Sequence, residues 1–310
     1  MNNYRLLHIS ILTQDKPAYV FDKYVMYDII ISETMDGLKQ PITAFCVGGG
    51  GSNLARGSVA FNYINDALSE YGTAPHNIHG VTTDATSLRV RSPSEQYEEI
   101  MDSIPIGAKE EGEKGSVLLI AQCMGTIAAH QALSSMTEEG IDTALVAFSP
   151  PLPSPDKVIQ LPNSRKRRRN NDTEMQCPTF PDGKIGDFSV LRHEWLPIPQ
   201  KYFHDIQETR DLEEKLRQSV EIGRAAVIAA ERDWNTSTPL IVSSWRRSWQ
   251  LRGLHEARQR AIIVPKAGHS LHPSGENKHL ALLSQQQACQ LVVDTGLKIL
   301  STSLSGRESE

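Results

Sequence analysis

Two short stretches carry side chains that could act together as a nucleophile and a base. The stretch AQCMG, residues 121–125, places Cys123 between an apolar run and a helix-like segment, and AGHS, residues 267–270, places His269 after the last apolar run. A thiolate is the reactive form of cysteine, and a nearby histidine can take or return its proton. His272 is an alternative base, although the AGH context favours His269. A buried core cysteine and a surface histidine are the ordinary alternatives to a catalytic pair.

A glycine-rich loop, VGGGGSN at 47–53, offers a third component. Glycine lets the backbone approach a ligand closely, so that peptide N–H groups can face it, and a flexible turn is the alternative. The loop lacks the GxGxxG spacing of dinucleotide-binding turns, and no cluster of residues has the spacing of metal ligands. We therefore predict neither a cofactor nor a metal.

The elements that must position these loops follow from hydrophobic periodicity and from glycine and proline breaks. Strands are predicted over 5–12, 24–32, 42–47, 78–84, 116–121, 143–148, 238–245 and 260–265. Helices are predicted over 53–72, 92–104, 126–136, 211–234, 251–259 and 276–302. Because helices and strands alternate after the first strands, the pattern predicts an α/β fold with a mostly parallel central sheet and helices on both faces. Active sites of such sheets gather at the carboxyl ends of the strands.

The composition changes in the middle of the chain. Proline recurs from residue 150 to residue 199, and a run of five basic residues occupies 165–169. We interpret 151–234 as a lid or cap insertion, and 1–150 with 235–310 as the core. The basic run is either a candidate nuclear localisation signal or polyanion-binding patch, or the solvated tip of a long loop.

The three loops occur in an order that resembles the α/β-hydrolase superfamily over nearly the whole chain. VGGGGSN is similar to the family's oxyanion loop, AQCMG to its nucleophile elbow and AGHS to its histidine loop. The resemblance implies that Cys123 attacks a carbonyl carbon and that His269 handles the proton. It further implies that the backbone amides of Met124 and of Gly49 or Gly50 hold the oxyanion. Some family members, including dienelactone hydrolases, carry cysteine at this elbow.

The acid of the triad is where the sequence departs from the family pattern. An aspartate is expected after the penultimate strand, but Arg246 and Arg247 follow the predicted strand at 238–245. Since some relatives carry the acid one strand earlier, we take Asp156, which lies eight residues past Phe148, as the substitute. A thiolate–imidazolium pair tolerates a missing acid better than a serine–histidine pair does.

Net charge, apolar stretches and cysteine spacing restrict the cellular compartment and the binding partners that we predict. The formal net charge of −5 argues against a general affinity for nucleic acid, and no apolar stretch reaches the roughly 18–20 residues that span a bilayer. His8 and Ser10 interrupt the first apolar patch, which also lacks a cleavage site, so no secretory signal is predicted. The four cysteines are widely scattered, which favours a reducing, cytoplasmic compartment. A small-molecule substrate is the expected partner, and the oligomeric state is left open.

Three functions are compatible with these residues. The leading hypothesis is a hydrolase or acyl transferase that acts on an ester, thioester or lactone of a small hydrophobic metabolite through Cys123 and His269. The second keeps the fold but drops the covalent step, so that His269 directs a cyclisation, isomerisation or elimination of secondary metabolism. The third is a non-catalytic pseudo-hydrolase that binds a ligand or a partner.

Overall fold

The computed structural model describes the protein in several separate ranges. They are residues 41–49, 54, 57–81, 91–104, 115–151, 188–191, 194–197, 201–202, 204–205, 211–233, 260–274 and 283–305. All of them belong to the unit Gln40–Glu310. Two predicted strands (5–12 and 24–32), the strand at 238–245, the helix at 251–259 and the basic run at 165–169 lie outside the described residues.

Eight strands and five helices are described. The strands are β1 Ile42–Val47, β2 Ile78–Val81, β3 Ser116–Gln122, β4 Thr143–Phe148, β5 Phe188–Leu191, β6 Glu194–Pro197, β7 Ala225–Ala230 and β8 Ala261–Val264. The helices are α1 Val59–Glu70, α2 Pro93–Asp102, α3 Gly125–Glu138, α4 Leu212–Glu221 and α5 Gln285–Ser305. A 3₁₀ turn, Pro75–Asn77, leads into β2.

Six of these strands form one parallel sheet in the order β2-β1-β3-β4-β7-β8. Neighbouring residues of β3 face opposite sides: Leu119 joins a core cluster with Leu133 of α3 and Leu216 of α4, whereas Leu118 meets Gly296 of α5. Helices therefore cover both faces, and the predicted α/β fold with a mostly parallel sheet is confirmed. The strands β5 and β6 pair separately as an antiparallel ribbon.

The predicted helix over 211–234 is wrong in its second half. The helix α4 ends at Glu221, Gly223 adopts a positive φ of 82°, and β7 begins at Ala225. Every residue of β7 is buried, because the strand lies between β4 and β8 and beneath helices. A strand buried on both faces shows no alternation of polar and apolar residues, and its alanine-rich sequence favours a helix.

This correction also changes the assignment of residues 151–234 to an insertion. The strand β7 pairs with β4 and β8 in the central sheet, and Leu216 and Val220 of α4 pack into its core. The assignment is therefore wrong for α4 and β7, which are core elements. Among the described residues, no helix combines the length and the apolar character needed to cross a membrane.

Candidate functional site

The nucleophile candidate occupies a sharp turn between β3 and α3. Cys123 has a φ of 51°, which is unusual for a residue with a side chain, and its N–H donates to the Phe148 carbonyl oxygen at 3.3 Å. Left-handed conformations of this kind are costly and cluster at functional sites. The helix α3 starts at Gly125, so its first N–H groups lie directly behind the sulfur. The turn therefore has the strand–turn–helix form of a nucleophile elbow.

The neighbouring strand ends in the same way. Ser149 follows β4 with a φ of 46° and lies beside Cys123, because Gln122 and Phe148 are register partners. Its hydroxyl is buried and has no hydrogen-bond partner among the described residues. Two adjacent strands thus end in residues with a left-handed backbone at one point of the sheet edge, and such strained residues cluster at functional sites.

The glycine loop after β1 packs directly against this elbow. A methyl group added at Gly49 would lie 2.8 Å from Cys123 Cβ and 2.8 Å from the Met124 nitrogen. One added at Gly125 would lie 2.4 Å from the Val47 carbonyl oxygen. Both positions therefore require glycine, and the backbone of the loop is brought against Cys123 and the Met124 amide. Gly50, the alternative donor in the sequence analysis, lies outside the described residues.

The histidine candidate lies on a tight loop after β8. The loop closes on itself, since Gly268 N–H donates to the His272 carbonyl oxygen at 2.9 Å and Leu271 N–H donates to the Gly268 carbonyl oxygen at 2.8 Å. His272 is exposed and its ring lies over Gly268, whereas the side chain of His269 is largely buried. The fold thus directs His269, and not His272, into the site.

The carboxylate that contacts His269 is Asp233. Its Oδ2 accepts a hydrogen bond from His269 Nδ1 at 2.8 Å, and its side chain is fully buried. Asp233 lies three residues past Ala230, the last residue of β7. The strand β7 is the neighbour of β8 in the sheet. Asp156, our predicted acid, lies outside the described residues, as do Arg246 and Arg247. The sequence analysis missed Asp233 because it placed this residue at the end of a helix.

A readable feature of the sequence could have identified Asp233. Gly223 lies two residues past the end of α4, and an apolar run of strand length, AAVIAA, begins at Ala225. The polar residues Glu231, Arg232 and Asp233 come next, where a parallel strand would deliver its loop to the active-site edge.

Hydrogen bonds tie the acid loop to the histidine loop. Arg232 Nη1 donates to the Ser274 carbonyl oxygen at 2.5 Å, and its N–H donates to the Ala267 carbonyl oxygen at 2.9 Å. Glu231 Oε2 accepts from the Lys266 N–H at 2.7 Å. These bonds fix the separation of the two loops, so the hydrogen bond between Asp233 and His269 does not depend on those two side chains alone.

Gln122 links the elbow to the histidine loop from the other side. Its buried side chain donates from Nε2 to the His269 carbonyl oxygen at 3.2 Å. This contact holds the loop after β8 against β3, across the ends of β4 and β7. It gives a structural role to the residue between Ala121 and Cys123.

The His269 ring lies within interaction range of the Cys123 thiol. Its Nδ1 is hydrogen-bonded to Asp233, and the ring also interacts with Cys123. Burial lowers the pKa of His269, but the hydrogen bond to Asp233 and the interaction with Cys123 outweigh it and raise the pKa to about 10. The imidazole therefore holds its proton at neutral pH, which is the state that stabilises a neighbouring thiolate.

Apolar side chains surround the sulfur. Met124, Ile127 and Leu212 form a buried cluster, and Cys123 and Tyr202 pack against it. Burial raises the pKa of Tyr202 above its usual range, and the nearby charge of Cys123 adds to this effect. The Tyr202 hydroxyl therefore stays protonated beside the thiol.

The segment that carries Tyr202 is anchored on α2. Asp205 Oδ2 accepts hydrogen bonds from Ser94 N–H at 2.9 Å and from Ser94 Oγ at 2.7 Å. Lys201 lies 3.8 Å from Glu98, which is four residues further along the same helix. Lys201 and Asp205, four residues apart, thus contact Glu98 and Ser94, which are also four residues apart on α2. These contacts hold the segment on either side of Tyr202 in place.

Comparisons with known proteins find similarity in structure only. The amino-acid sequence matches no protein-family model and no curated protein. The structure is similar to Est1E from Butyrivibrio proteoclasticus, with a TM-score of 0.48 and 14% identity over 85% of this chain and 89% of that chain. It is also similar to XC6422, an α/β serine hydrolase without a lid from Xanthomonas campestris, with a TM-score of 0.40 and 15% identity over 84% of each chain. A third similar structure is ClbQ from the colibactin pathway, with a TM-score of 0.37 and 13% identity over 85% of this chain and 100% of that chain.

Proposed function

We propose that the protein is a hydrolase or acyl transferase that forms a covalent acyl intermediate on Cys123. One observation carries this proposal: His269 is hydrogen-bonded to Asp233 and interacts with Cys123, at the carboxyl edge of a parallel sheet. The chain order of nucleophile, acid and histidine is that of α/β-hydrolase triads. Asp233 replaces Asp156 as the acid of this triad.

The first half-reaction begins from the thiolate–imidazolium pair. The Cys123 sulfur attacks the carbonyl carbon, an S–C bond forms, and the carbonyl π electrons move to oxygen. The N–H groups of Gly49 and Met124 stabilise this oxyanion; such donors are each worth roughly 2.7–4 kcal/mol. When the intermediate collapses, the bond to the leaving group breaks, and His269 gives that group its proton.

The second half-reaction uses the neutral imidazole that remains. His269 takes a proton from water while the water oxygen attacks the thioester carbonyl. The S–C bond then breaks, the carboxylic acid leaves, and the thiolate–imidazolium pair is restored. An alcohol or amine in place of water gives acyl transfer or lactone formation by the same steps. Asp233 holds the ring orientation throughout because it binds Nδ1 and leaves Nε2 toward the sulfur.

The surroundings of Cys123 favour a small apolar acyl group. The side chains that pack with the sulfur are Met124, Ile127, Leu212 and the ring of Tyr202. A charged acyl chain would be desolvated there without a partner, which costs several kcal/mol. We therefore expect medium-length aliphatic or aromatic esters and thioesters to be preferred over charged ones.

The test combines turnover with trapping of the intermediate. The wild-type protein is mixed with p-nitrophenyl esters of graded chain length, and Cys123 is examined by mass spectrometry after rapid acid quench. We expect a p-nitrophenol burst and an acyl group on Cys123. Cys123→Ala and His269→Ala should each lose turnover by on the order of 10³-fold or more.

The two other hypotheses give different results in the same experiment. Turnover of a substrate by Cys123→Ala but not by His269→Ala would indicate acid–base chemistry without a covalent step. Absence of turnover and of any acyl adduct across esters, thioesters and lactones would contradict the proposed function and leave a binding protein.

A further inference from the structure

Gln96 is a buried polar residue that the mechanism above does not use. It lies in the first turn of α2 with 1% of its surface exposed. Its Nε2 donates a hydrogen bond of 2.8 Å to the carbonyl oxygen of Gly48. The turn that carries it is held by a capping box, in which Ser92 and Glu95 bond to each other's backbone N–H. The side chain thus reaches from a rigid helix start to the glycine loop.

The bond to Gly48 has a geometric consequence for the next residue. A trans peptide is planar, and its C=O and N–H point in opposite directions. Because the Gly48 carbonyl is held toward α2, the N–H of Gly49 in the same peptide is turned to the opposite side. The elbow lies against Gly49, since Cys123 and the Met124 amide would be in contact with any side chain placed there. Gly48 is also fixed from behind by its own N–H, which donates to the Val81 carbonyl oxygen at 2.8 Å.

We propose that Gln96 is the positioning residue of the oxyanion hole, holding the Gly48–Gly49 peptide so that the Gly49 N–H faces the reaction centre. This inference rests on the proposed function. Gln96 does not touch the substrate and acts through Gly48. Without its amide, the peptide can rotate toward conformations that glycine residues reach at little cost, and the N–H is no longer pre-organised.

Two reactions of the same thiolate separate this role from general damage. Attack on an ester builds an oxyanion, whereas iodoacetamide alkylation forms an S–C bond and releases iodide without any oxyanion. Gln96→Met keeps the volume and removes the donor. We expect it to lower the acylation rate by p-nitrophenyl esters about 10- to 100-fold, mainly in kcat, and to leave the iodoacetamide rate of Cys123 unchanged within about twofold.

Tyr97→Phe is the matched control on the same helix. It removes the hydrogen bond of 3.0 Å between Tyr97 and Ser135 of α3, and this bond does not reach the glycine loop. We expect it to leave both rates near the wild-type values. Gln96→Asn, which keeps the amide but shortens its reach, should fall between Gln96→Met and wild type.

Particular results would overturn the inference. Equal acylation rates in Gln96→Met and wild type would do so, and so would a parallel loss of acylation and alkylation, which indicates general damage to the site. Where Gln96→Met proves too unstable to purify, Gln96→Asn and Gln96→Glu are compared by the same ratio of rates. If the wild-type protein alkylates rapidly but acylates with no ester, the proposed function fails, whereas a wild-type enzyme that is active and unaffected by Gln96→Met contradicts the positioning role alone.

Discussion

At the level of single residues, the proposed function assigns the chemistry to three side chains. Cys123 is held in a left-handed conformation, His269 is buried beside it, and Asp233 is buried behind His269. Each of these placements has a cost: backbone strain at Cys123 and desolvation at the other two. The charge-assisted hydrogen bond between His269 and Asp233 offsets part of these costs, and with the interaction with Cys123 it raises the pKa of His269.

The first prediction concerns the proton on His269. In the proposed mechanism, acylation needs the imidazolium, so its rate in the wild-type protein should fall as pH rises through about 10. Asp233→Asn removes the negative charge and weakens the hydrogen bond that raise this pKa, and we expect the alkaline limit to move to lower pH. At neutral pH the rate should also fall, by about 100-fold. The measurement is a pre-steady-state pH profile, with Asp142→Asn, distant from the site, as the control; an unshifted alkaline limit would exclude Asp233 as the partner.

At the scale of elements, the site depends on close approach between β1 and the start of α3. The Val47 carbonyl oxygen leaves no room for a side chain at Gly125, and Gly49 has the elbow against it. The two glycine positions bring the backbones of the loop after β1 and of the elbow together. In the proposed function, backbone N–H groups at these strand ends, and not side chains, form the oxyanion hole.

A pair of glycine substitutions tests this packing. Gly125→Ala places a methyl group 2.4 Å from backbone, whereas Gly296→Ala in α5 places one 2.5 Å from the flexible end of Leu118. We expect Gly125→Ala to lower the free energy of unfolding by about 1–3 kcal/mol and to reduce acylation. Gly296→Ala should change stability by less, because the better helix propensity of alanine, about 1 kcal/mol, offsets the contact. Urea denaturation measures the free energy of unfolding of each variant. Equal decreases in the two variants would show that the backbone facing Gly125 moves aside as easily as the Leu118 side chain.

At the level of the whole molecule, the strand order of the central sheet sets the order in which the candidate site residues lie along its edge. The strands β3, β4, β7 and β8 lie side by side, and Cys123, Ser149, Asp233 and His269 follow their ends in that order. Since His269 starts from β8 and reaches Cys123 after β3, its loop must cross two strand ends. The bonds from Gln122 and Arg232 hold the loop in that position.

Burial in the core of the fold predicts how the reactivities of the cysteine thiols differ. Cys46 in β1 and Cys289 in α5 are almost fully buried, and burial raises the pKa of each thiol to about 12. In the folded protein, iodoacetamide should therefore label Cys123 rapidly, and should reach the other two only through global unfolding. The labelling rate of each cysteine is measured by peptide mapping at increasing urea concentrations. The fourth cysteine is removed by Cys177→Ser so that only these three are compared. Labelling of Cys46 in the absence of urea at the rate of Cys123 would contradict the described core.

The fold class, and the placement of the glycine loop, the elbow and the histidine loop after strands, could be predicted from the sequence. The apolar runs at Ile42–Val47, Ser116–Gln122 and Thr143–Phe148 identify buried strands because their residues leave little choice of environment. The position of a loop after such a strand then predicts where Cys123 and His269 lie, since parallel strands deliver their ends to one edge. Ser92, the first residue of the predicted helix over 92–104, caps α2 with a full capping box.

The carboxylate that contacts His269 could not be predicted from the sequence, because long-range strand pairing selects it. Residues 225–230 are compatible with a helix by local propensity, and they form a strand because β4 and β8 provide partners on both sides. This pairing joins residues that are far apart in the chain. It ends β7 at Ala230 and so places Asp233 beside His269 instead of in a helix. The roles of Gln96 and Gln122 have the same origin, because each donates to a backbone carbonyl 48 or 147 residues away in the chain. No local pattern encodes such a contact, whereas the packing of α2 and of the loop after β8 fixes it directly.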